Sequence, residues 1–461
     1  MKTLTGKVLT LNIYLIIFIE GFVTLSLEVQ LIRQLLPFVG GSVTITSLII
    51  GTFLIFLAAG YHSGSRIKHH FERFLKRNFS IALIFLSLGM SVTLTNYYFV
   101  TLLIVEKLHP LLPLLIYLLV VIAPLVYFLG QTIPITMNLM PQHRRAGKTG
   151  GLTLTISTLG SFLGAIIASS FIMGYLGVAM NIWINSILLG FLTLLLTPNH
   201  VRTAYKQIVF VIAMIIISYL LSVQTASHIY TKSNSYGDYI ITYNPNTKTK
   251  DLYINSSSSS SLNQNNKGYA YIEMIKKILF YDLKLQGQDI LVLGAGGFTL
   301  SAESAFGNQF YYVDIDPDLP GIVVPNFIKK INGTFIGKDA RAYLNQTDKT
   351  FKAIVIDVYS SRFQIPSYLL TREFFVNVDA HLAPGGVAIF NVVANPMLKN
   401  AFSKRVDNTL RSVFGSCMAI PKTYENAITN ILYVCNSNME SGDKLVYSDN
   451  INNSSTDYFL Q

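Results

Sequence analysis

The 461-residue sequence is poor in charge and in cysteine, and these shortages restrict what the protein can be. Charged residues make up 13% of the chain against 51% hydrophobic ones, and the mean hydropathy is +0.45. This balance excludes a purely soluble protein. The sequence also has no CxxC pair and no HExxH, GxSxG or P-loop motif. Zinc, serine-hydrolase and phosphate-loop chemistry therefore have no support, and we expect neither a metal site nor a prosthetic group.

Aspartate is missing from the first 237 residues, and the positive charge of the chain lies in the same region. Residues 1–225 hold 14 Lys and Arg against 4 Glu, whereas the remainder holds 21 basic and 20 acidic residues. Basic residues between apolar segments are typical of membrane proteins, whereas a nucleic-acid binder needs a basic face on a folded domain. We therefore expect the lipid bilayer as a partner and no nucleic acid.

Seven apolar runs are long enough to cross about 30 Å of hydrocarbon. They predict an all-α, multi-pass membrane bundle over residues 1–225. The runs cover residues 10–31, 43–61, 79–104, 110–130, 152–172, 176–197 and 207–223.

The short loops between these runs predict an orientation in the cell membrane. The N-terminus and the loops after runs two, four and six hold 12 Lys and Arg, against only Arg33 and Lys107 on the opposite side. The positive-inside rule then predicts a cytoplasmic N-terminus, and the odd number of spans places the C-terminal domain outside. A nucleoside ligand of cytosolic origin would favour the cytoplasmic side instead, so both sides stay open for that domain.

Two features inside the runs predict local contacts. Gly160 and Gly164 are four residues apart, a spacing that lets helix backbones approach closely. Glu20 and Glu28 are carboxylates within a span, which are costly unless they are paired, protonated or facing water. Glu28 and Arg33 could form an ion pair near the end of the helix, or the glutamates could form a polar site for a cationic or lipid-like substrate.

The C-terminal half alternates strand and helix patterns. A small β region with a mobile Ser/Asn loop at 255–266 is expected over residues 226–285, a Rossmann-like domain over 286–440, and a polar tail over 441–461. Short apolar strands separated by helices indicate a doubly wound parallel sheet. The expected strands are Asp289 to Gly294, Phe310 to Ile315, Ala353 to Asp357 and Gly386 to Val393, and the expected helices are Thr299 to Phe306 and Thr371 to His381.

Glycines or acids end these strands, where ligands bind in such sheets. The first strand runs into the glycine turn 294–297, and Asp314 ends the next strand about 20 residues on, a spacing that suits a ribose diol. Asp339 and Asp357 are expected to face the same crevice. Each acid alone could equally be a helix cap or turn residue.

These residues resemble the spermidine synthase-like polyamine aminopropyltransferases, whose fold is that of S-adenosylmethionine-dependent methyltransferases. The resemblance covers about residues 235–436 and includes the segments Ile365 to Phe375 and Leu382 to Gly386. The membrane half resembles that of membrane-fused members. The resemblance implies transfer of an aminopropyl group from decarboxylated S-adenosylmethionine, a co-substrate, to a small amine such as putrescine, and a homodimer is plausible because family members often pair.

The resemblance also assigns roles to individual residues. Asp357 is implied as the proton acceptor, and Glu273 lies in Tyr271-Ile272-Glu273-Met274, which matches the family's Tyr-His-Glu-Met. The implied nucleoside contacts are Gly294, Gly296, Gly297, Asp314, Asp339 and Ala340, and the implied amine contacts are Tyr236, Glu273 and Tyr359.

Three positions depart from the family pattern. Gly297 replaces an aspartate, Ile272 a histidine, and Ser360 the second acid of an Asp-x-x-Asp segment. Their loss leaves one end of a diamine poorly paired, so putrescine is in question as the acceptor. An S-adenosylmethionine-dependent methyltransferase acting on another acceptor, or a non-catalytic membrane binding or transport protein, remains an alternative.

The only cysteines, Cys417 and Cys435, lie in two apolar runs around a turn at Tyr424 to Asn426. This arrangement predicts an antiparallel hairpin in which they face each other, close enough for a disulfide. A disulfide would fit an exterior domain. The alternative is two buried apolar thiols.

Overall fold

A computed structural model describes residues 6–139, 146–197, 201–359, 365–426, 428–436, 446–450, 452 and 454. The chain divides into two compact units, Met1–Val39 with Ile45–Ser235, and Gly40–Thr44 with Tyr236–Gln461. We call them the helical unit and the sheet unit. Each is described by itself below.

Within its described residues, the helical unit contains six helices that are long and apolar enough to cross a membrane, and a seventh if the bent pair α3 and α4 counts as one span. The pair bends by 55° around Ser91, whose hydroxyl caps α4 by accepting from the Leu94 amide. Each predicted apolar run falls on one of these helices or on the bent pair. The helices are α1 Gly6–Val39, α2 Val43–Ser65, α3 Phe71–Gly89, α4 Val92–Val105, α5 Leu111–Leu139, α6 Gly147–Leu176, α7 Val178–Leu195 and α8 Ala204–Ile229.

Helices α1 and α6 pack with their backbones in contact. A Cβ added to Gly160 would lie less than 3.0 Å from the backbone oxygen of Phe18, and one added to Gly164 would lie as close to that of Phe22. A Cβ added to Gly21 would lie less than 3.0 Å from the backbone oxygen of Ser157. Only glycine leaves room for this approach. The predicted close packing through Gly160 and Gly164 is confirmed.

A chain of buried polar side chains joins α1 to three other helices. Because these groups are buried, the hydrogen bonds they make with one another replace those with water and hold the helices in register. The chain runs from Asn185 through Ser26, Asn181, Gln30, Gln34 and Thr95 to Tyr117. Arg33 directs its Nε to the carbonyl oxygen of Asn234 at 3.0 Å.

The sheet unit, which follows the two-residue strand Lys232–Ser233, begins with a three-stranded antiparallel meander. Its strands are β1 Asp238–Asn244, β2 Thr249–Ile254 and β3 Ser257–Leu262. The expectation of a mobile loop at 255–266 is therefore wrong for β3. Backbone pairing with β2 and a hydrogen bond from Ser261 to Asp251 hold this serine-rich segment as a strand, because a ladder of backbone bonds outweighs weak side-chain propensity.

A seven-stranded sheet forms the centre of the unit, in the order β9-β10-β8-β7-β4-β5-β6. The five strands from β8 to β6 are parallel. Strand β10 pairs antiparallel with β8, and β9 pairs antiparallel with β10. The predicted doubly wound sheet is confirmed, as are its four predicted strands. The strands are β4 Asp289–Leu293, β5 Gln309–Asp314, β6 Thr334–Gly337, β7 Phe351–Ile356, β8 Leu382–Ala394, β9 Ser416–Pro421 and β10 Thr429–Asn436.

Helices and short turns connect these strands. The predicted helix 371–381 is confirmed as Arg372–Ala380. The predicted helix 299–306 is wrong, because only one 3₁₀ turn, Thr299–Ser301, forms there. The Ser301 amide donates to the Tyr312 hydroxyl at 3.1 Å instead of continuing a helix. The helices are α9 Ala270–Lys276, α10 Leu319–Asn326, α11 Ala340–Leu344, α12 Arg372–Ala380 and α13 Ala401–Arg411.

The terminal hairpin of β9 and β10 places Cys417 directly opposite Cys435. The two residues form a disulfide, with 4.1 Å between their Cα atoms. This short separation is typical of a non-hydrogen-bonded antiparallel pair. The predicted facing arrangement is confirmed, and the alternative of two free thiols is wrong.

The described residues of the expected polar tail pack against the sheet unit. Tyr447 is fully buried in the core, and its carbonyl oxygen accepts from the Arg372 amide at 2.9 Å. Asp449 accepts from the Arg341 guanidinium at 2.9 Å. This part of the tail is therefore a component of the fold.

We expect Gly164→Ala to weaken the helical unit by about 1–3 kcal/mol, because the new methyl group meets backbone that cannot move aside. Gly151→Ala is the matched control, since nothing lies within 4 Å of its added Cβ on the same helix. Reversible unfolding in SDS, followed by circular dichroism, measures both. Equal stability of the two variants would contradict the packing described for α1 and α6.

Candidate active site

The ends of three parallel strands meet at a glycine turn. Gly294 has φ +89°, and its amide donates to the carbonyl of Val313 at 2.9 Å. The Asp357 amide donates to the carbonyl oxygen of Leu293 at 2.9 Å. A Cβ on Gly294 would lie less than 3.0 Å from the backbone carbonyl oxygen of Asp357. The position therefore requires glycine for both conformation and space. This is the switch point of the sheet, where its strand order reverses and ligands bind in such folds.

Asp314 lies beside the glycine turn at the end of β5. Its Oδ2 accepts from the Ala295 amide at 3.0 Å, and its Oδ1 accepts from the Asp316 amide at 3.1 Å. Burial raises the pKa of Asp314, and the amides of Asp316 and Ala295 lower it part of the way back. The structure thus brings together the turn and the acid that were predicted to share a site.

Asp357 is held by two neutral donors. Its Oδ1 accepts from Asn391 Nδ2 at 2.8 Å, and its Oδ2 accepts from the Tyr271 hydroxyl at 3.0 Å. Burial raises the pKa of Asp357, and the hydrogen bonds from Asn391 and Tyr271 lower it part of the way. Burial and the charge of Asp357 hold the pKa of Tyr271 well above its ordinary value, so the phenol remains a donor.

The orientation of Asn391 is itself fixed. Asn430 Nδ2, on the neighbouring strand β10, donates to Asn391 Oδ1 at 2.9 Å. The amide oxygen is thereby committed to Asn430, which leaves the amide nitrogen of Asn391 to donate to Asp357. Sequence reasoning missed Tyr271, Asn391 and Asn430 as members of the site, although Tyr271 stands in the quoted motif beside Glu273.

Asp339 and Ala340 lie at the start of α11. Asp339 Oδ1 accepts from the Ala342 amide at 2.9 Å, which makes Asp339 the N-cap of this helix. Its Oδ2 accepts from the Tyr368 hydroxyl at 2.7 Å. Burial, together with this bond to Asp339, raises the pKa of Tyr368. Both oxygens of Asp339 therefore accept hydrogen bonds, one from the start of the helix and one from Tyr368.

The three residues predicted to contact the amine have different surroundings. Glu273 Oε1 accepts from the Gly268 amide at 2.8 Å and from Lys276 Nζ at 2.9 Å, so its charge is already balanced. The Tyr359 hydroxyl donates to the Asn391 carbonyl and accepts from the Val393 amide, both at 2.9 Å. Tyr236 is exposed at the start of the sheet unit.

Two of the departures from the family pattern have structural explanations, while Ser360 lies outside the described residues. The Gly297 amide donates to Ser260 Oγ at 2.9 Å, and an added Cβ on Gly297 would lie less than 3.0 Å from both Ser260 and Phe327. Strand β3 therefore occupies the space that an aspartate side chain would need. Ile272 is buried in the core of the sheet unit.

Comparison with known proteins follows this geometry. The sequence is 24% identical over 168 residues to a probable polyamine aminopropyl transferase of Bifidobacterium longum, covering 34% of this chain and 37% of that protein. It is 28% identical over 138 residues to polyamine aminopropyltransferase 2 of Pseudomonas aeruginosa, covering 28% and 40%. The chain thus spans less than half the length of these two relatives.

A solved structure is also similar, a probable spermidine synthase from Corynebacterium glutamicum, with 20% identity, a TM-score of 0.39 and coverage of 45% of this chain and 79% of that one. No protein-family model matches the sequence. The proteins found are transferases by name. Among transferases, the sequence similarity is to proteins named polyamine aminopropyltransferases.

We expect Asn391→Ala to raise the pKa of Asp357 further, because Asn391 donates to the ionised carboxylate and favours it over the protonated form. Infrared titration of the full chain measures this, with the Asp357 carboxyl band assigned through its loss in Asp357→Asn. Asn345→Ala, at an exposed amide bonded to Asn377, is the control. An identical titration in Asn391→Ala and the parent would contradict the role given to Asn391.

Proposed function

We propose that the sheet unit transfers an aminopropyl group from decarboxylated S-adenosylmethionine to a small amine. The observation that carries the proposal is the position of Asp357, which is oriented by Tyr271 and Asn391 at the switch point beside the glycine turn. Its two hydrogen-bond partners are neutral, so its negative charge remains available to a cationic amine. The similarity to polyamine aminopropyltransferases supports the same activity.

The chemistry requires a base because an alkylamine has a pKa of about 10 and is more than about 99% protonated at pH 7. Asp357 binds the ammonium group and accepts one of its protons, which frees the nitrogen lone pair. The nitrogen attacks the aminopropyl carbon bonded to sulfur, and the electrons of the breaking carbon–sulfur bond return to the sulfonium. The products are a neutral thioether nucleoside and the extended amine, and the proton leaves from Asp357 to solvent.

The nucleoside is bound by the elements around the glycine turn. Gly294 and Gly296 allow close approach of the ligand to the turn, Gly297 holds the turn against Ser260 and Phe327, and Asp314 accepts from the ribose hydroxyls. Asp339 and Ala340, beside Tyr368, contact the adenine. Ser260 is added to this set because its hydroxyl lies against the turn.

The acceptor is less strongly cationic than the usual diamine of the family. Gly297 and Ile272 replace polar family residues, and Lys276 already balances Glu273. Among the candidate amine contacts that the structure describes, Asp357 is the carboxylate that remains as the charged contact for the reacting ammonium. Methyl transfer from S-adenosylmethionine would use the same nucleoside site, and the binding test below separates the two reactions.

We expect the purified full-length protein to bind decarboxylated S-adenosylmethionine more tightly than S-adenosylmethionine in isothermal titration calorimetry. Asp314→Asn should weaken binding about 10- to 100-fold, because it removes a charged acceptor for the ribose. Asp318→Asn, at an exposed acid four residues away, is the matched control. Tighter binding of S-adenosylmethionine would redirect the proposal to methyl transfer, and binding of neither would overturn it.

Asp357→Asn should keep nucleoside binding and lower the rate of amine extension by about 100-fold or more, because the general base is lost. Formation of the thioether nucleoside in the presence of amines, followed by liquid chromatography, measures that rate. An unchanged rate would refute the role of Asp357 while leaving the nucleoside site intact.

We further propose that the helical unit anchors the protein in the cell membrane and that the sheet unit faces the exterior, which requires that the nucleoside co-substrate reach that side. Six helices long and apolar enough to span support the anchoring. The distribution of Lys and Arg supports the orientation. The disulfide of Cys417 and Cys435 supports it as well, because disulfides persist in oxidising compartments.

In intact cells, we expect both cysteines to resist a mass-tagged maleimide until a reductant is added, after which the chain gains two tags. The chain has only these two cysteines, so no other thiol interferes. Cys417→Ser is the control, because it leaves Cys435 as a single thiol. Two tags without reductant in acid-quenched cells would contradict the exterior placement.

A further inference from the structure

Glu20 is a buried carboxylate in the apolar helix α1. It is 3% exposed, and its Oε1 accepts from the Thr24 hydroxyl at 2.8 Å. Within the described residues, its Oε2 is buried without a hydrogen-bond partner. A carboxylate within a membrane span is costly and is commonly part of a functional site. The unused oxygen therefore needs a donor that the structure does not supply.

The described basic side chain of α1 lies too far away to supply that donor. Arg33 is 13 residues from Glu20, about 20 Å along the helix axis. Arg33 bonds the Asn234 carbonyl at its own level of the helix. Among the described side chains of α1, no basic residue therefore neutralises Glu20.

Helix α5 brings a second unsatisfied oxygen to the same level. Ile13 and Ile17 pack with Leu139 at the end of α5. Because α1 also contacts earlier parts of α5 and has few residues before Ile13, the two helices run antiparallel. Thr132, seven residues before Leu139, is thus level with Glu20 and Thr24. Its hydroxyl is also buried without a hydrogen-bond partner in the described residues.

Helix α2 adds a tyrosine that connects this level to the surface. Gly60 and Gly64 pack against α5 at Gly130 and Gln131, so Tyr61 lies near the level of Thr132. Tyr61 is close enough to Glu20 for their charges to interact, and it is 40% exposed. Tyr61 therefore lies between the buried carboxylate and the outside of the helical unit.

We propose that Glu20, Thr132 and Tyr61 form a binding site for a primary ammonium ion within the helical unit. A primary ammonium has three N–H donors, and Glu20 Oε2, Thr132 Oγ1 and the Tyr61 hydroxyl supply three acceptors. The Tyr61 ring adds a face for the cation. A sodium ion suits the site less well, because the backbone carbonyls accept hydrogen bonds within the helices. The three side-chain oxygens of the proposed site would be too few ligands for it. The site is independent of the reaction proposed for the sheet unit.

The test is equilibrium dialysis of ¹⁴C-methylammonium against the full-length protein in nanodiscs, in an Asp357→Asn background that removes the proposed amine contact of the sheet unit. Glu20→Gln should weaken binding by about tenfold or more, because it removes the charge that pairs with the cation. Glu28→Gln, at a half-buried glutamate of the same helix, is the matched control and should change binding by less than about twofold.

Competition distinguishes the type of cation. Tetramethylammonium, which has no N–H donor, should not displace the probe, and neither should sodium at equal ionic strength. Equal binding by Glu20→Gln and its parent, or displacement by sodium as effective as by unlabelled methylammonium, would overturn the proposal. If Glu20→Gln does not fold, Thr132→Val replaces it, with an expected loss of about fivefold from one missing acceptor.

Discussion

The candidate site of the sheet unit depends on one backbone contact, the approach of Gly294 to Asp357. The absence of a side chain at Gly294, together with its positive φ, lets the ends of β4 and β7 lie side by side. The amide of Asp357 can then bond Leu293, which fixes the start of the segment that carries its carboxylate. Any side chain at this position would separate the strands and move Asp357 away from Tyr271. The position of the Asp357 carboxylate therefore depends on the absence of a side chain at Gly294.

The sequence predicts the parts of this arrangement that follow from local pattern. Apolar runs ending in glycine or aspartate indicate the strands, and the sheet brings Asp314 and Asp357 to one edge. Local sequence patterns do not predict the roles of Tyr271 and Asn391. These residues lie 86 and 34 residues from Asp357 in the chain and contact it only in the folded structure. Strand β3 is not predicted either, because its serine-rich composition is typical of loops, although only two residues separate it from its pairing partner β2.

The packing around the glycine turn explains the absence of a side chain at position 297. Gly297 has no room for a side chain, because Ser260 and Phe327 fill the space beside it. A serine hydroxyl of β3 therefore bonds the turn where an acid would otherwise stand. Reverting Gly297 to aspartate alone would collide with both neighbours. At Gly297 the absence of a side chain is therefore explained by the packing of β3 and Phe327 around the turn.

The partners of the carboxylates separate structural acids from acids suited to cationic ligands. Glu273 and Asp449 bond Lys276 and Arg341, so their charges are balanced within the protein. Asp357 instead has hydrogen bonds from a phenol and an amide, which orient it without cancelling its charge. Glu20, with Thr24 as its donor, belongs to the second group. Because a buried charge without a counter-charge is costly, the proposed ammonium ion would supply the counter-charge that an ionised Glu20 requires.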